Sequence, residues 1–177
     1  MAAAGSNRHG PKGAAKPAKT RGGASSNGGK KRSAGSGAPV KMVIPSDYHA
    51  GRDVQAAILK QVQAHHYFPH SEYAIRLALE EGLINAIKHG NRLDPAKKVR
   101  IAAHISVDQV EISVEDEGPG FDRSSVPDPT LVENLEKCSG RGILLIEAYM
   151  TRVSWDRGGR RLRMVRINQP ETPAKEH

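Results

Sequence analysis

Two neighbouring stretches, KVRIAAHISV (98–107) and QVEISVED (109–116), place an apolar side chain at every second position. A helix would scatter those side chains around its circumference, whereas an extended strand collects them on one face. Val99, Ile101, Ala103 and Ile105 then share a face, as do Val110, Ile112 and Val114. The tight connection at Asp108-Gln109 makes the pair a hairpin. One face of that hairpin must be covered, and its register is fixed by the need to cover it.

The flanking sequence supplies the cover. VKMVIPSD has the content of a short strand stopped by Pro45, Ser46 and Asp47. GRDVQAAILKQVQAHH repeats apolar residues at helical spacing through Val54, Ile58 and Val62. Pro69 and Ser71 open a second helix running to about His89, with Gly90 where a left-handed C-terminal cap is usual. GRGILLIEAYM reads as a third helix, and TRVSWDRGGRRLRMVRI as a closing hairpin turning at Gly158-Gly159. Three helices and about five strands, mostly antiparallel, predict an α+β two-layer sandwich with the helices on one face of the sheet.

Charge divides the chain. Residues 1–39 hold eight Lys or Arg and no acid, and half of the 18 glycines; from Val40 onward 19 basic residues meet all 19 acidic ones. A segment with no large aliphatic side chain after Met1 cannot offset the entropy of ordering, so 1–39 is expected to be a disordered basic tail. Such a tail offers nucleic acid a partner through counterion release, although a solubilising extension is the commoner use. The body, 40–168, suits one domain, with 169–177 as a short flexible end. One cysteine, Cys138, excludes an internal disulfide, and no apolar run reaches the length of a membrane span. A soluble cytoplasmic protein is the expectation.

Three places carry polar residues that the fold alone does not require. On the second helix, Glu81, Asn85 and His89 are four apart and form a stripe beside the small Ala74 and Ala78, bordering open space, while Ile75, Leu79, Leu83 and Ala86 can face the sheet. An amide such as that of Asn85 suits magnesium that takes its other oxygens from water and phosphate, and a carboxylate one turn earlier can act on an attacking hydroxyl. A plain solvated stripe, with Lys88 and His89 at a helix C-terminus, is the structural alternative. At the end of the second hairpin strand, Asp116 keeps the core-side parity of Val110, Ile112 and Val114; a buried carboxylate needs a donor, which the exocyclic amine of adenine supplies, with Gly118 and Gly120 admitting a flat ring. An ordinary Asp-Glu-Gly turn would read the same way. Ser139, Gly140 and Gly142 open the third helix, whose amides, with Arg141, make an anion site, and a serine-capped helix start is equally common. His65, His66 and His70 straddle a helix break and read as a surface cluster rather than a zinc site. Between Glu117 and Ser139 lies a connection too long to be idle.

A Glu-x-x-x-Asn helix, an Asp-x-Gly-x-Gly strand end, a long connection and a Gly-x-Gly helix start, in this order, resemble the nucleotide-binding boxes of the GHKL ATPase superfamily over about Val40 to Ile167. NAIKHGN and GRGILLIEAYM are similar to the anti-sigma factor serine kinases of bacterial partner switching, the anti-sigma-B type. The resemblance implies a Bergerat-type histidine-kinase-like ATPase fold, ATP and Mg2+ as cofactors, Glu81 as general base, Asn85 as magnesium ligand and Asp116 as adenine anchor. It also implies a pocket shaped by Gly118, Gly120, Gly140 and Gly142, with His89, Lys137, Ser139 and Arg141 at the nucleotide and a lid from Phe121 to Ser139. The implied substrate is a serine of an anti-anti-sigma protein, the second partner a sigma factor, and homodimer formation a family expectation. The sequence departs from the family at Cys138, where an arginine is usual and Lys137 stands one residue earlier, and at Arg160, where a threonine is usual. Lysine lacks the bidentate fork of arginine, so an ATP-gated module that sequesters a partner without catalysis is the alternative.

Overall fold

A computed structural model of the chain describes residues 39–122 and 141–170. The alternating stretches form the predicted hairpin, β2 (Lys98–Ile105) and β3 (Gln109–Glu115), with Ile101 opposite Val114, Ala103 opposite Ile112 and Ile105 opposite Val110. The connection is slightly longer than the tight turn expected, since Gln109 already belongs to the strand and Ser106 N–H donates to its carbonyl. Three further strands complete the sheet: β1 (Val40–Pro45), β4 (Arg152–Asp156) and β5 (Arg161–Ile167). The order is β1-β2-β3-β5-β4, and every neighbouring pair is antiparallel. The expected period-two pattern survives: Val99, Ile101, Val110, Ile112, Val114, Leu162 and Met164 are buried on one face, while Arg100, Glu111 and Arg163 lie exposed on the other.

Three helices cover the apolar face. α1 (Tyr48–Ala64) starts at Asp47, whose carboxylate accepts from Ala50 N–H at 2.9 Å, and buries Val54, Ile58, Leu59 and Val62. α2 (Pro69–Ile84) begins on Pro69, whose missing N–H costs a helix nothing at that position, and buries Ala74, Ile75, Ala78, Leu79 and Leu83. α3 (Arg141–Tyr149) runs antiparallel along α2, with Gly142 beside Glu81 at one end and Tyr149 edge-on to Tyr73 at the other, ring centres 5.9 Å apart. Arg166 fastens that second end: it donates to the Tyr149 carbonyl at 2.8 Å and toward Ser71 Oγ at 3.4 Å.

Two expectations need correction. The side of α2 carrying Ala74 and Ala78 is closed, because α3 lies on it and the two alanines are 1% and 0% exposed. Their small side chains admit the neighbouring helix. Nor does the second helix end at a left-handed Gly90. After Ile84 it continues as a π-helical turn, Asn85–Gly90, and the left-handed backbone falls on Arg92 and Leu93, both at φ 58°. Asn91 N–H reaches back to Ala86 O at 2.8 Å and Leu93 N–H to Ile87 O at 2.9 Å. The predicted tail 1–39 lies outside the described residues except for Pro39, and the C-terminal piece 169–177 is described only to Pro170. Among the described residues no helix is long and apolar enough to cross a membrane.

Candidate functional site

The π-helical turn sets the geometry of the site. Of the stripe expected for Glu81, Asn85 and His89, the first two members meet α3. Glu81 and Asn85 both face Gly142 of α3: a Cβ built there would lie 3.4 Å from Glu81 Cδ and 3.7 Å from Asn85 Nδ2, with Glu81 Oε2 closer still. His89 lies exposed. The first and third sequence motifs are thus one place, and a side chain at 142 would displace the carboxylate. Burial against α3, followed by the charge of Glu80, raises the pKa of Glu81 above the ordinary glutamate value.

At the far end of the same turn stands Asp116. Gly118 N–H donates to Asp116 Oδ1 at 2.7 Å, and Gly90 packs so closely that a Cβ there would lie 2.6 Å from each carboxylate oxygen. Gly90 is therefore a floor for the carboxylate rather than a cap. A Cβ on Gly118 would in turn strike the Gly90 carbonyl and come within 2.8 Å of Asp116 Oδ1. Burial raises the Asp116 pKa; the Gly118 hydrogen bond and the nearby Arg160 charge act against it and Glu115 acts with it. Gly120, at φ 82°, turns the chain after Asp116 toward the β4–β5 turn, where Phe121 N–H donates to Gly158 O at 3.1 Å.

A residue with no assigned role in the sequence motifs, Asn91, joins these parts. It is fully buried; its Oδ1 accepts from Glu117 N–H at 2.8 Å and its Nδ2 donates to Lys98 O at 3.0 Å. The amide ties the end of the π-helical turn both to the loop after Asp116 and to β2. No local signal marks it, because both partners are distant or irregular in sequence. Replacing Asn91 with alanine leaves a part-buried N–H and a part-buried carbonyl without their partner, which is expected to cost about 1–2 kcal/mol. Urea unfolding of N91A checks this, and an unchanged midpoint would remove the bridging role.

The predicted site residues fall into three groups. Glu81 and Asn85 meet Gly142; Asp116, Gly118 and Gly120 gather around Gly90; Lys137, Ser139 and Gly140, with most of the expected lid, lie outside the described residues. Arg141 opens α3 and is exposed. The three histidines are not gathered into one group: His65 Nδ1 is 2.8 Å from Gln61 O, His70 Nε2 is 3.3 Å from Ser71 Oγ, and among the described residues no three His, Cys, Asp or Glu side chains are placed to hold a metal ion.

One helix that carries a carboxylate and an amide at a glycine-led helix start, and ends on a half-buried aspartate, is an arrangement other proteins share. The histidine kinase-like ATPase domain model matches residues 44–166. The chain belongs to that family. Its fold is the α+β histidine-kinase-like ATPase fold, and ATP is the nucleotide the family implies. Among curated relatives, the anti-sigma F factor of Clostridium perfringens is 38% identical over 79 residues, 43% of this chain and 56% of that protein. The anti-sigma F factor of Oceanobacillus iheyensis is 35% identical over 82 residues, 45% of this chain and 56% of that protein. The chain thus spans about half the length of the curated relatives it matches. A solved structure of the RsbU and RsbW domains of a Mycobacterium tuberculosis protein superposes with a TM-score of 0.51 at 19% identity, covering 76% of this chain and 33% of that one. At that identity the likeness concerns the fold of this histidine kinase-like ATPase domain alone.

Proposed function

We propose that this ATPase domain is an anti-sigma factor with serine-kinase activity, moving the terminal phosphate of ATP to a serine of an anti-anti-sigma protein. The observation that carries the reading is the meeting of Glu81 and Asn85 with Gly142, where α2 passes into the π-helical turn whose far end, Gly90, packs on Asp116. In this reading Asp116 accepts from the adenine amine, with Gly118 and Gly120 beside the ring. Asn85 faces the phosphates, with Ser139, Gly140, Arg141 and Gly142 offering the amides of a helix start and Lys137 a charge. His89 borders the nucleotide from the solvent side. Glu81, its proton affinity raised by burial, takes the proton of the attacking serine hydroxyl. The donor set fits magnesium, since one neutral amide oxygen is what an ion keeping waters and phosphate oxygens asks of a protein. Held there by Asn85, magnesium would neutralise charge on the phosphates. The second partner is a sigma factor, in keeping with the likeness to anti-sigma F factors.

Radiolabel transfer from ATP with magnesium to an anti-anti-sigma protein, run beside calorimetry of nucleotide binding, tests the reading. Transfer supports the kinase. Tight ATP binding without transfer replaces it with a sequestering module, an outcome that Cys138 in the position of an expected arginine favours. Absence of nucleotide binding ends the reading altogether.

Asp116 gives a second test. Its pKa is raised in the fold, so the folded state holds this proton more readily than the unfolded chain. The sign follows: burial of the ionised carboxylate opposes folding once pH exceeds the unfolded value, and the opposition is complete above the folded one. Asp116→Asn keeps an oxygen for Gly118 N–H and removes the charge. At neutral pH it is expected to melt higher than wild type while losing adenine nucleotide affinity by about tenfold or more. In the wild type, affinity falls on acidification beginning at a higher pH than an ordinary aspartate would give. Thermal melts and calorimetry across pH measure both, and D116N binding ATP normally would remove Asp116 as the anchor.

A further inference from the structure

The turn between β4 and β5 holds three consecutive residues in the left-handed region: Arg157 at φ 52°, Gly158 at 68° and Gly159 at 83°. Glycine meets that requirement without steric cost, and arginine does not. What the arginine contributes is its side chain. Its Nη1 lies 2.7 Å from Glu115 Oε1, at the end of β3 and directly before Asp116, and the Glu115 side chain is only 16% exposed. Arg161 also approaches Glu115, but at 3.9 Å, and is committed to Asp156 at 2.6 Å. Arg157 is therefore not duplicated.

The rest of the turn is bonded into the loop around Asp116. Asp116 N–H donates to Arg160 O at 3.0 Å, Phe121 N–H to Gly158 O at 3.1 Å, and Arg160 Nε to Arg157 O at 3.1 Å. Gly120 and Gly159 interlock: a Cβ on Gly159 would lie 2.7 Å from Phe121 N, and one on Gly120 3.1 Å from the Gly158 carbonyl carbon. Backbone packed to that tolerance moves as a unit. A shift of the turn is a shift of residues 116–121.

We infer that Arg157 is a positioning residue for the nucleobase end of the site. Through its ion pair with Glu115 it fixes the β4–β5 turn, and the turn fixes Asp116, Gly118 and Gly120. It acts from the outer face of the sheet and touches no ligand. The inference rests on the reading of Asp116 as the adenine anchor.

The experiment is calorimetry of ADP and of ATP on the full chain, for wild type, R157G, R157K, E115Q and the double variant R157G/E115Q, with thermal melts alongside. Glycine removes the guanidinium together with the left-handed penalty, so R157G is expected to melt no lower than wild type while both nucleotides bind about fivefold more weakly. R157K recovers part of the loss, and the double variant binds no more weakly than the worse single one, because the two changes break one contact. A merely structural arginine would move the melt and leave affinity alone. Wild-type affinity in R157G, or losses that add in the double variant, overturns the inference. Wild-type protein that binds neither nucleotide overturns the reading of the site, and this inference with it.

Discussion

Glu81→Gln is expected to lower phosphoryl transfer by about two to four orders of magnitude, the usual worth of a positioned general base, while ATP affinity changes little. Glutamine keeps the length and planarity of the side chain, so its packing against Gly142 survives and α3 stays on α2. What disappears is the group able to accept the serine proton. Burial makes that group a better base than an exposed glutamate, so its removal costs more here than at an open site. Single-turnover transfer of label to the anti-anti-sigma protein, compared with nucleotide calorimetry on the same preparation, separates chemistry from binding. Transfer by the glutamine variant at the wild-type rate would assign the base elsewhere.

Gly118→Ala is expected to abolish adenine nucleotide binding and to destabilise the fold by about 2 kcal/mol, within the usual cost of overpacking. The obstruction is chiefly backbone, which cannot swing aside. An alanine Cβ would run into the Gly90 carbonyl, with the carbonyl carbon 2.6 Å away and Asp116 Oδ1 2.8 Å away. A flexible side chain could swing aside, but Gly90 is held in the π-helical turn and Asn91, its neighbour, is bonded to Glu117 N–H and Lys98 O. Relief must come from moving the loop that carries Asp116. Calorimetry and urea unfolding of G118A measure the two losses, and normal ATP affinity in this variant would show that the loop tolerates the shift. Glycine at 118 is thus required by contact, since its own φ is not among the positive ones.

The sheet was legible because a period of two in 98–116 leaves only one arrangement that buries Val99, Ile101, Val110, Ile112 and Val114 together. The pairing of Glu81 with Asn85 was legible for the same kind of reason, since four residues is one helical turn. The reach of that argument ended at Asn85. NAIKHG has apolar spacing that suits an α-helix and a π-helix alike, so the wider turn left no mark in sequence. Gly90 misled because a glycine that caps a helix and one that clears space for a distant carboxylate read the same; only the position of Asp116, 26 residues on, distinguishes them. Asn91 went unread since its partners are set by the tertiary fold. The readings at Lys137, Ser139 and Gly140 fall outside the described residues.

The π-helical turn sets how length can vary here. Six residues, Asn85–Gly90, occupy a winding that an α-helix would fill with fewer, because a wider turn rotates less per residue than the roughly 100° of an α-helix. Deleting one residue between 86 and 89 would therefore let the segment relax into ordinary helix while Gly90 and Asn91 keep nearly the same phase relative to Glu81. The extra residue is absorbed by the turn instead of being passed on to the loop that Asn91 holds. For this segment a change of length by one residue is local, and the two parts of the nucleotide site stay in phase.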